Sequence, residues 1–144
     1  MITFELVTLS GIKFAKDVYE VILPTPDGEI AIFPTHMELV SLVIPGIIKI
    51  RSNASDADSG LELYATNGGI VEIDNKRIRI LVDEADHSSD VNEQQAEEAL
   101  KNAQKLAKEA PDDASLEKAM SQITLQKSRL RVAGLRKKKS SKRY

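Results

Sequence analysis

Leu23-Pro-Thr-Pro-Asp-Gly-Glu-Ile-Ala-Ile-Phe-Pro-Thr-His-Met-Glu-Leu39, closed by Pro45-Gly46, sets two apolar runs around a Pro/Gly turn, with a further proline directly after Ile30 to Phe33. Proline cannot donate to a sheet ladder and glycine supplies positive φ, so these residues mark where strand pairing stops and reverses. Short strands surround this stretch on both sides. Ile2, Phe4 and Leu6 alternate with Thr3 and Glu5, the period of a half-buried strand. Ser10-Gly11 breaks that run, and Ile12 to Ala15 can return beside it. Val18 to Leu23, Glu29 to Phe33, Ile47 to Arg51, Leu61 to Ala65, Ile70 to Ile73 and Arg77 to Val82 follow at short intervals. Many short strands with turn signals between them predict a sandwich or barrel. Asn53 to Gly60 is polar and reads as a long hairpin tip, tolerant of change.

From Asn92 the period changes. Ala96, Ala99, Leu100, Ala103, Leu106, Ala107 and Ala110 recur at three- and four-residue intervals, which is one face of a helix. Pro111-Asp112-Asp113 stops it, and Asp113 is the expected N-cap of a second helix with Leu116, Ala119, Met120 and Ile123 on one face. Beyond Ile123 the stripe breaks: Lys127 interrupts it, and Leu125, Val132 and Leu135 lie off the first line. The fold class is therefore an N-terminal all-β sandwich followed by an antiparallel α-helical hairpin. The expected division is a sandwich over 1–85, a linker over 86–91, and a hairpin with a basic tail over 92–144. A mostly alanine stripe buries little area per residue, so the hairpin is expected to be loosely held.

Composition narrows the function. The 144 residues include no Cys and no Trp, which excludes disulfides and thiolate metal sites and fits a reducing compartment. The N-terminus has no basic region ahead of an apolar run, and no apolar run reaches the length of a membrane span. A soluble protein is expected, with any membrane association made through a partner. The net charge of −2 hides an asymmetry: nine basic residues and no acidic one lie between Lys127 and Tyr144. Such an arm seeks a negative surface.

Catalytic constellations are missing. His36 sits in the turn after a strand without a Ser, Cys or metal-spaced partner, and is expected to be a buried imidazole satisfying a backbone carbonyl. His87 lies in a polar stretch and is expected to be solvated. Gly68-Gly69 lacks a following Gly-Lys-Ser/Thr and opens a strand, so it predicts a bulge or tight bend rather than a phosphate loop. Glu97 and Glu98 are adjacent on a helix and point in different directions. The reading is a non-enzyme with no metal and no cofactor.

The long motif around Pro24 to Pro45 resembles the epsilon subunit of F-type ATP synthases of bacterial type, whose sandwich carries L-P-x-x-x-G-E-x-x-hydrophobic-P-x-H followed by L and P-G. Thr66-Asn-Gly-Gly-Ile-Val-Glu-Ile-Asp74, Ile80-Leu-Val-Asp83, Ala96-Glu-Glu-Ala99 and, more loosely, Leu130-Arg-Val-Ala133 extend the similarity along nearly the whole chain. The resemblance implies a non-catalytic central-stalk subunit that couples ion-driven rotation to ATP synthesis. Its implied partners are the gamma shaft, the ring of proton-carrying membrane subunits, and the alpha and beta subunits of the catalytic head. The implied location is peripheral, on the cytoplasmic face of the cell inner membrane. It assigns Asp27, Gly28 and Glu29 to the ring, His36 to the shaft-facing surface, and Arg129, Arg131, Arg136, Lys137 and Lys138 to a brake on ATP hydrolysis. A helix over 114–139 would span about 39 Å at about 1.5 Å per residue, enough to reach the head.

Some epsilon subunits bind ATP through (I/L)-D-x-x-R-A. The aligned residues here are Val91-Asn-Glu-Gln-Gln-Ala96. Asn92 replaces the acid and Gln95 the arginine, so the charge-assisted phosphate contacts are lost and no nucleotide site is assigned. The alternative function is a nucleic-acid-binding β-domain with a basic helical tail, for which Lys and Arg contacts to phosphate would suffice. Against it, the β-domain offers no aromatic cluster for stacking.

Overall fold

The computed structural model describes the backbone of residues 1–141 and the side chains of residues 1–137. Among them are ten strands: β1 (Ile2–Thr8), β2 (Gly11–Val18), β3 (Glu20–Thr25), β4 (Gly28–Ile32), β5 (Leu39–Val43), β6 (Gly46–Arg51), β7 (Glu62–Thr66), β8 (Gly69–Ile73), β9 (Arg77–Val82) and β10 (Ala85–His87). Two helices follow, α1 (Glu93–Lys108) and α2 (Asp113–Ser141). The strands form two five-stranded sheets, ordered β2-β1-β9-β8-β5 and β10-β7-β6-β3-β4. Every pairing is antiparallel except β1 with β9, where Thr3 to Val7 run beside Arg77 to Leu81.

Alternation along the strands decides what lies between the sheets. Ile2, Phe4 and Leu6 point inward from β1, Val21 and Leu23 from β3, and Ile78, Ile80 and Val82 from β9. With Ile32, Ile48, Ile50 and Val71 they make one aliphatic core, in which Phe4 and Phe14 pack with ring centroids 5.5 Å apart. Burial of a side chain of this size is worth about 1.5–3 kcal/mol, so this core dominates the stability of the molecule.

The Gly68-Gly69 bend takes the form that its sequence predicts. Gly68 has φ +96°, and a Cβ there would stand 2.6 Å from the Val43 carbonyl oxygen. At Gly69 a Cβ would fall 1.9 Å from the Leu81 carbonyl oxygen. The backbone itself fills the space a side chain would need.

Several expectations are corrected. The 53–60 segment is the hairpin tip expected, between β6 and β7, but it is pinned: Arg51 reaches across it to Asp58 at 2.7 Å, to the Asp56 carbonyl, and to the buried Glu20 at 2.7 Å. The hydrogen bond from Arg51 holds the Asp58 carboxyl below its usual range. Two strands were not foreseen. β5 is apolar on both faces, which hides its period, and β10 is short and polar, paired through its backbone to Tyr64, Ala65 and Thr66. β10 spans 85–87 and a 3-10 turn 88–90, and together they take up all of the expected linker except residue 91. His87 is consequently half-buried rather than solvated, edge-on to Tyr64 with ring centroids 5.0 Å apart.

The helices also differ in detail. Asp112, not Asp113, caps α2, accepting from the Ser115 N–H at 2.7 Å. That bond, the largest cause, holds its carboxyl below the usual range. On α1 the alanine stripe is partly borne out, with Ala96 and Ala103 buried, but Leu106 is 63% exposed, as Leu116 and Met120 are exposed on α2. The residues that left the first stripe of α2 have their own partner. Val132, Ala133 and Leu135 pack with Val91 against Ile47, Leu61, Leu63 and Ala65 of the sandwich. The first half of α2 faces α1 and the second half faces the second sheet, so no single helical line could describe it.

Candidate functional surfaces

The tip between β3 and β4 carries Asp27, Gly28 and Glu29. Gly28 has φ +117°, a conformation that L side chains avoid, and nothing within 4 Å would obstruct a Cβ. Thr25 Oγ1 donates to the Gly28 carbonyl at 2.6 Å, while Lys49 Nζ lies 3.4 Å from Glu29. Pro24 pairs with Glu29, and its carbonyl accepts from Ile44 N at 3.1 Å. The loop at Ile44 to Gly46 is thereby stapled to the base of the tip.

His36 lies in the β4–β5 connection. Its Nδ1 is 2.7 Å from the Met37 carbonyl oxygen, so this nitrogen carries the proton and donates. The carbonyl partner agrees with expectation, but the ring is half-exposed rather than buried. Thr35, immediately before it, has φ 74°, which is rare for a β-branched residue and marks strain in the turn.

Sequence reasoning missed what lies beside this turn. Leu42, Ile70, Leu81 and Val7 are consecutive partners across four strands of the first sheet, on its outer face. Leu42 is 60% exposed and Val40 72%, with Met37, Ile44, Ile70 and Leu81 also open to solvent. A strand apolar on both faces, as β5 is, was the available signal, because such strands are covered on both sides. A contiguous apolar strip of this kind marks an interaction surface.

The cations of α2 are divided. Arg129 binds Asp86 through Nε at 2.7 Å and through a terminal nitrogen at 2.6 Å, with Glu84 at 3.5 Å. Arg136 donates to the Ser88 carbonyl at 2.5 Å, and Lys137 pairs with Glu93 at 2.6 Å. Arg131 is exposed. The side chain of Lys138 and residues 142–144 lie outside the described residues.

Asn92 and Gln95 meet in a small task. The Asn92 side chain accepts from Gln95 N at 3.0 Å and caps α1. Both line a cavity of about 340 Å³ with Asp86, Asp90, Gln126 and Arg129. Gln126 is 4% exposed, and its side-chain oxygen has no hydrogen-bond partner.

Among the described residues there is no group of three His, Asp or Glu side chains placed to hold a metal, and no helix long and apolar enough to cross a membrane. A sandwich with an uncovered apolar strip on one sheet and a helical hairpin seated at its edge presents a surface open to a partner. The family described as ATP synthase, Delta/Epsilon chain, beta-sandwich domain matches residues 1–88. The ATP synthase epsilon chain of Chromobacterium violaceum is 28% identical over 136 residues, covering 94% of this chain and 95% of that protein. The chloroplastic ATP synthase epsilon chain of Solanum lycopersicum is 32% identical over 131 residues, covering 91% and 93%. A chain in the Euglena gracilis mitochondrial ATP synthase, an assembly of OSCP, F1 and c-ring, superposes with a TM-score of 0.73 at 19% identity, over 92% of this chain and 80% of that one. At that identity the likeness shows the fold. The chain belongs to the ATP synthase epsilon chain family, and it is a non-catalytic subunit of the rotary complex.

Proposed function

We propose that this chain couples rotation of a proton-carrying membrane ring and a gamma shaft to ATP synthesis, and that its C-terminal helices restrain ATP hydrolysis by the alpha and beta subunits. The apolar strip Val7–Leu81–Ile70–Leu42 carries the reading, because it supplies a dry surface for the shaft that the chain alone leaves wet. His36 and Met37 extend that surface, and the stiff tip at Asp27 to Glu29 faces the ring. The solved chains of similar fold come from assemblies that contain F1 and c-ring, and from a central stalk with its c-ring, which supports this arrangement. Attachment on the cytoplasmic face of the membrane follows through these partners.

Arg131, Arg136, Lys137 and Lys138, with Arg129, form the brake by engaging acidic surface on the head. Individual exposed pairs are weak, but a line of them sums to a preference. The nucleic-acid reading gains nothing: Phe33 is the exposed aromatic ring among the described residues, and three of the five cations are engaged within the chain.

Two variants test the proposal. Leu42→Arg should abolish co-purification with the shaft and head, and retention of both would remove the strip from the interface. Truncation after Gln126 should raise ATP hydrolysis by the assembled complex, and coincident rates across salt and nucleotide conditions would dismiss the brake.

A further inference from the structure

The cations assigned to the brake are the ones that now fasten α2 to its own chain. Arg129 is only 24% exposed and lies against Asp86 of β10, with Glu84 behind it. Two helical turns further, Arg136 seals the 3-10 turn at 88–90 through the Ser88 carbonyl, and Lys137 ties α2 to the start of α1 through Glu93. These contacts rim the apolar seam of Val132 and Ala133 on Ile47, Leu63 and Ala65. The cavity beneath them holds Asp86 and Asp90 against one guanidinium, so it is net negative and its arginine is already neutralised. A polyphosphate entering there would meet two carboxylates and would have to displace one of them from Arg129.

We propose that Glu84 and Asp86 are a built-in latch, which holds α2 docked through Arg129 without nucleotide and competes directly with the acidic surface of the head for the same cation. The proposal rests on the braking role above and supplies its regulation. Docking and braking become mutually exclusive because Arg129 cannot serve both partners. Release is set by ionic strength and by the carboxylates that a neighbouring subunit presents, and ATP alone does not tighten the docked state.

Amide hydrogen exchange on the full-length chain tests this, comparing wild type with the double variant Glu84→Gln/Asp86→Asn, which leaves every cation of α2 in place. Loss of a partly buried, charge-assisted contact should speed exchange across 123–135 by roughly tenfold or more. The amides of β1, β3 and β9 should keep their protection, which shows that the sandwich remains folded. Wild type in about 1 M salt, where the Debye length is about 3 Å, should shift in the same direction. Millimolar magnesium-ATP should change neither protein. Unaltered exchange in the double variant, or protection of wild-type α2 by ATP, would overturn the latch. In the assembled complex the double variant should hydrolyse ATP more slowly than wild type. If α2 is released in that variant while hydrolysis is unchanged, the latch stands and the braking role is the part that fails.

Discussion

At Gly69 the neighbouring strand leaves no room for even one methyl group. A Cβ would lie 1.9 Å from the Leu81 carbonyl oxygen and 2.9 Å from Val82 Cα, all of it backbone that cannot step aside. Gly69→Ala should therefore destabilise the protein by about 3 kcal/mol or more, read from the denaturation midpoint. A loss under about 1 kcal/mol would mean that β8 and β9 separate easily. Thr35 invites the opposite change. Its φ of 74° costs roughly 1–2 kcal/mol in a β-branched residue, so Thr35→Gly should raise stability, by about 0.5–1 kcal/mol after the greater freedom of unfolded glycine. Gly69 was legible in the sequence as a bend, whereas Thr35 was not, because nothing in Pro34-Thr35-His36 announces a left-handed residue.

Besides Asp58, two aspartates held by backbone N–H groups contribute pH dependence at the residue scale. Backbone N–H groups of Lys76 and Ser115 hold Asp74 and Asp112, respectively, below the ordinary carboxylate value of 3.8. A depressed folded value contributes stability that is present above the unfolded value and is lost as pH falls through the folded one. Stability should decline below about pH 4, and Asp112→Asn, which keeps a capping oxygen, should flatten part of that decline in acid denaturation. An unchanged acid slope in the variant would count against this contribution.

Among the elements, α1 and α2 show how much a sequence pattern conveys. Both helices and the turn between them were legible, since periodicity and Pro111 are local signals. The seat of α2 was not, because its second half packs on strands more than 60 residues earlier in the chain. The outer face of the first sheet was hidden too, because no strand was expected at 39–43, where Leu39 and Val43 face the core and Val40 and Leu42 face out. The energetics follow the seat rather than the stripe. Val132 is fully buried and Leu106 mostly exposed. Val132→Asp should undock α2, seen as new protease cleavage within 113–135 while the sandwich persists. Leu106→Ala should cost no more than about 0.5 kcal/mol, although both residues belong to apolar helix positions. Resistance of the Val132→Asp variant to proteolysis would show that α1 holds α2 sufficiently.

Across the whole molecule, the aliphatic core is closed within the first 85 residues, and the seam under α2 is a separate, smaller cluster. A fragment of residues 1–88 should accordingly fold with dispersed amide resonances, yet associate more than the full chain because Ile47, Leu61, Leu63 and Ala65 lose their cover. A fragment without dispersed signals would make the hairpin part of one cooperative unit. The sandwich was readable from turns and alternation, and its order of strands was not, since pairing β1 with β9 requires contact between residues at opposite ends of the domain.

That single parallel pair has a consequence for the order of synthesis. β1 leaves the ribosome first and can zip to β2 at once, but its other edge, at Thr3 to Val7, must wait for Arg77 to Leu81. Throughout that interval the nascent chain carries an open strand edge of the type that recruits other chains. When β9 arrives it joins β1 to β8 and completes the first sheet, while Leu63 and Ala65 stay bare until Val132 emerges. The stretch of synthesis between β2 and α2 is therefore the interval in which an open strand edge and bare apolar side chains are exposed to other chains and to chaperones.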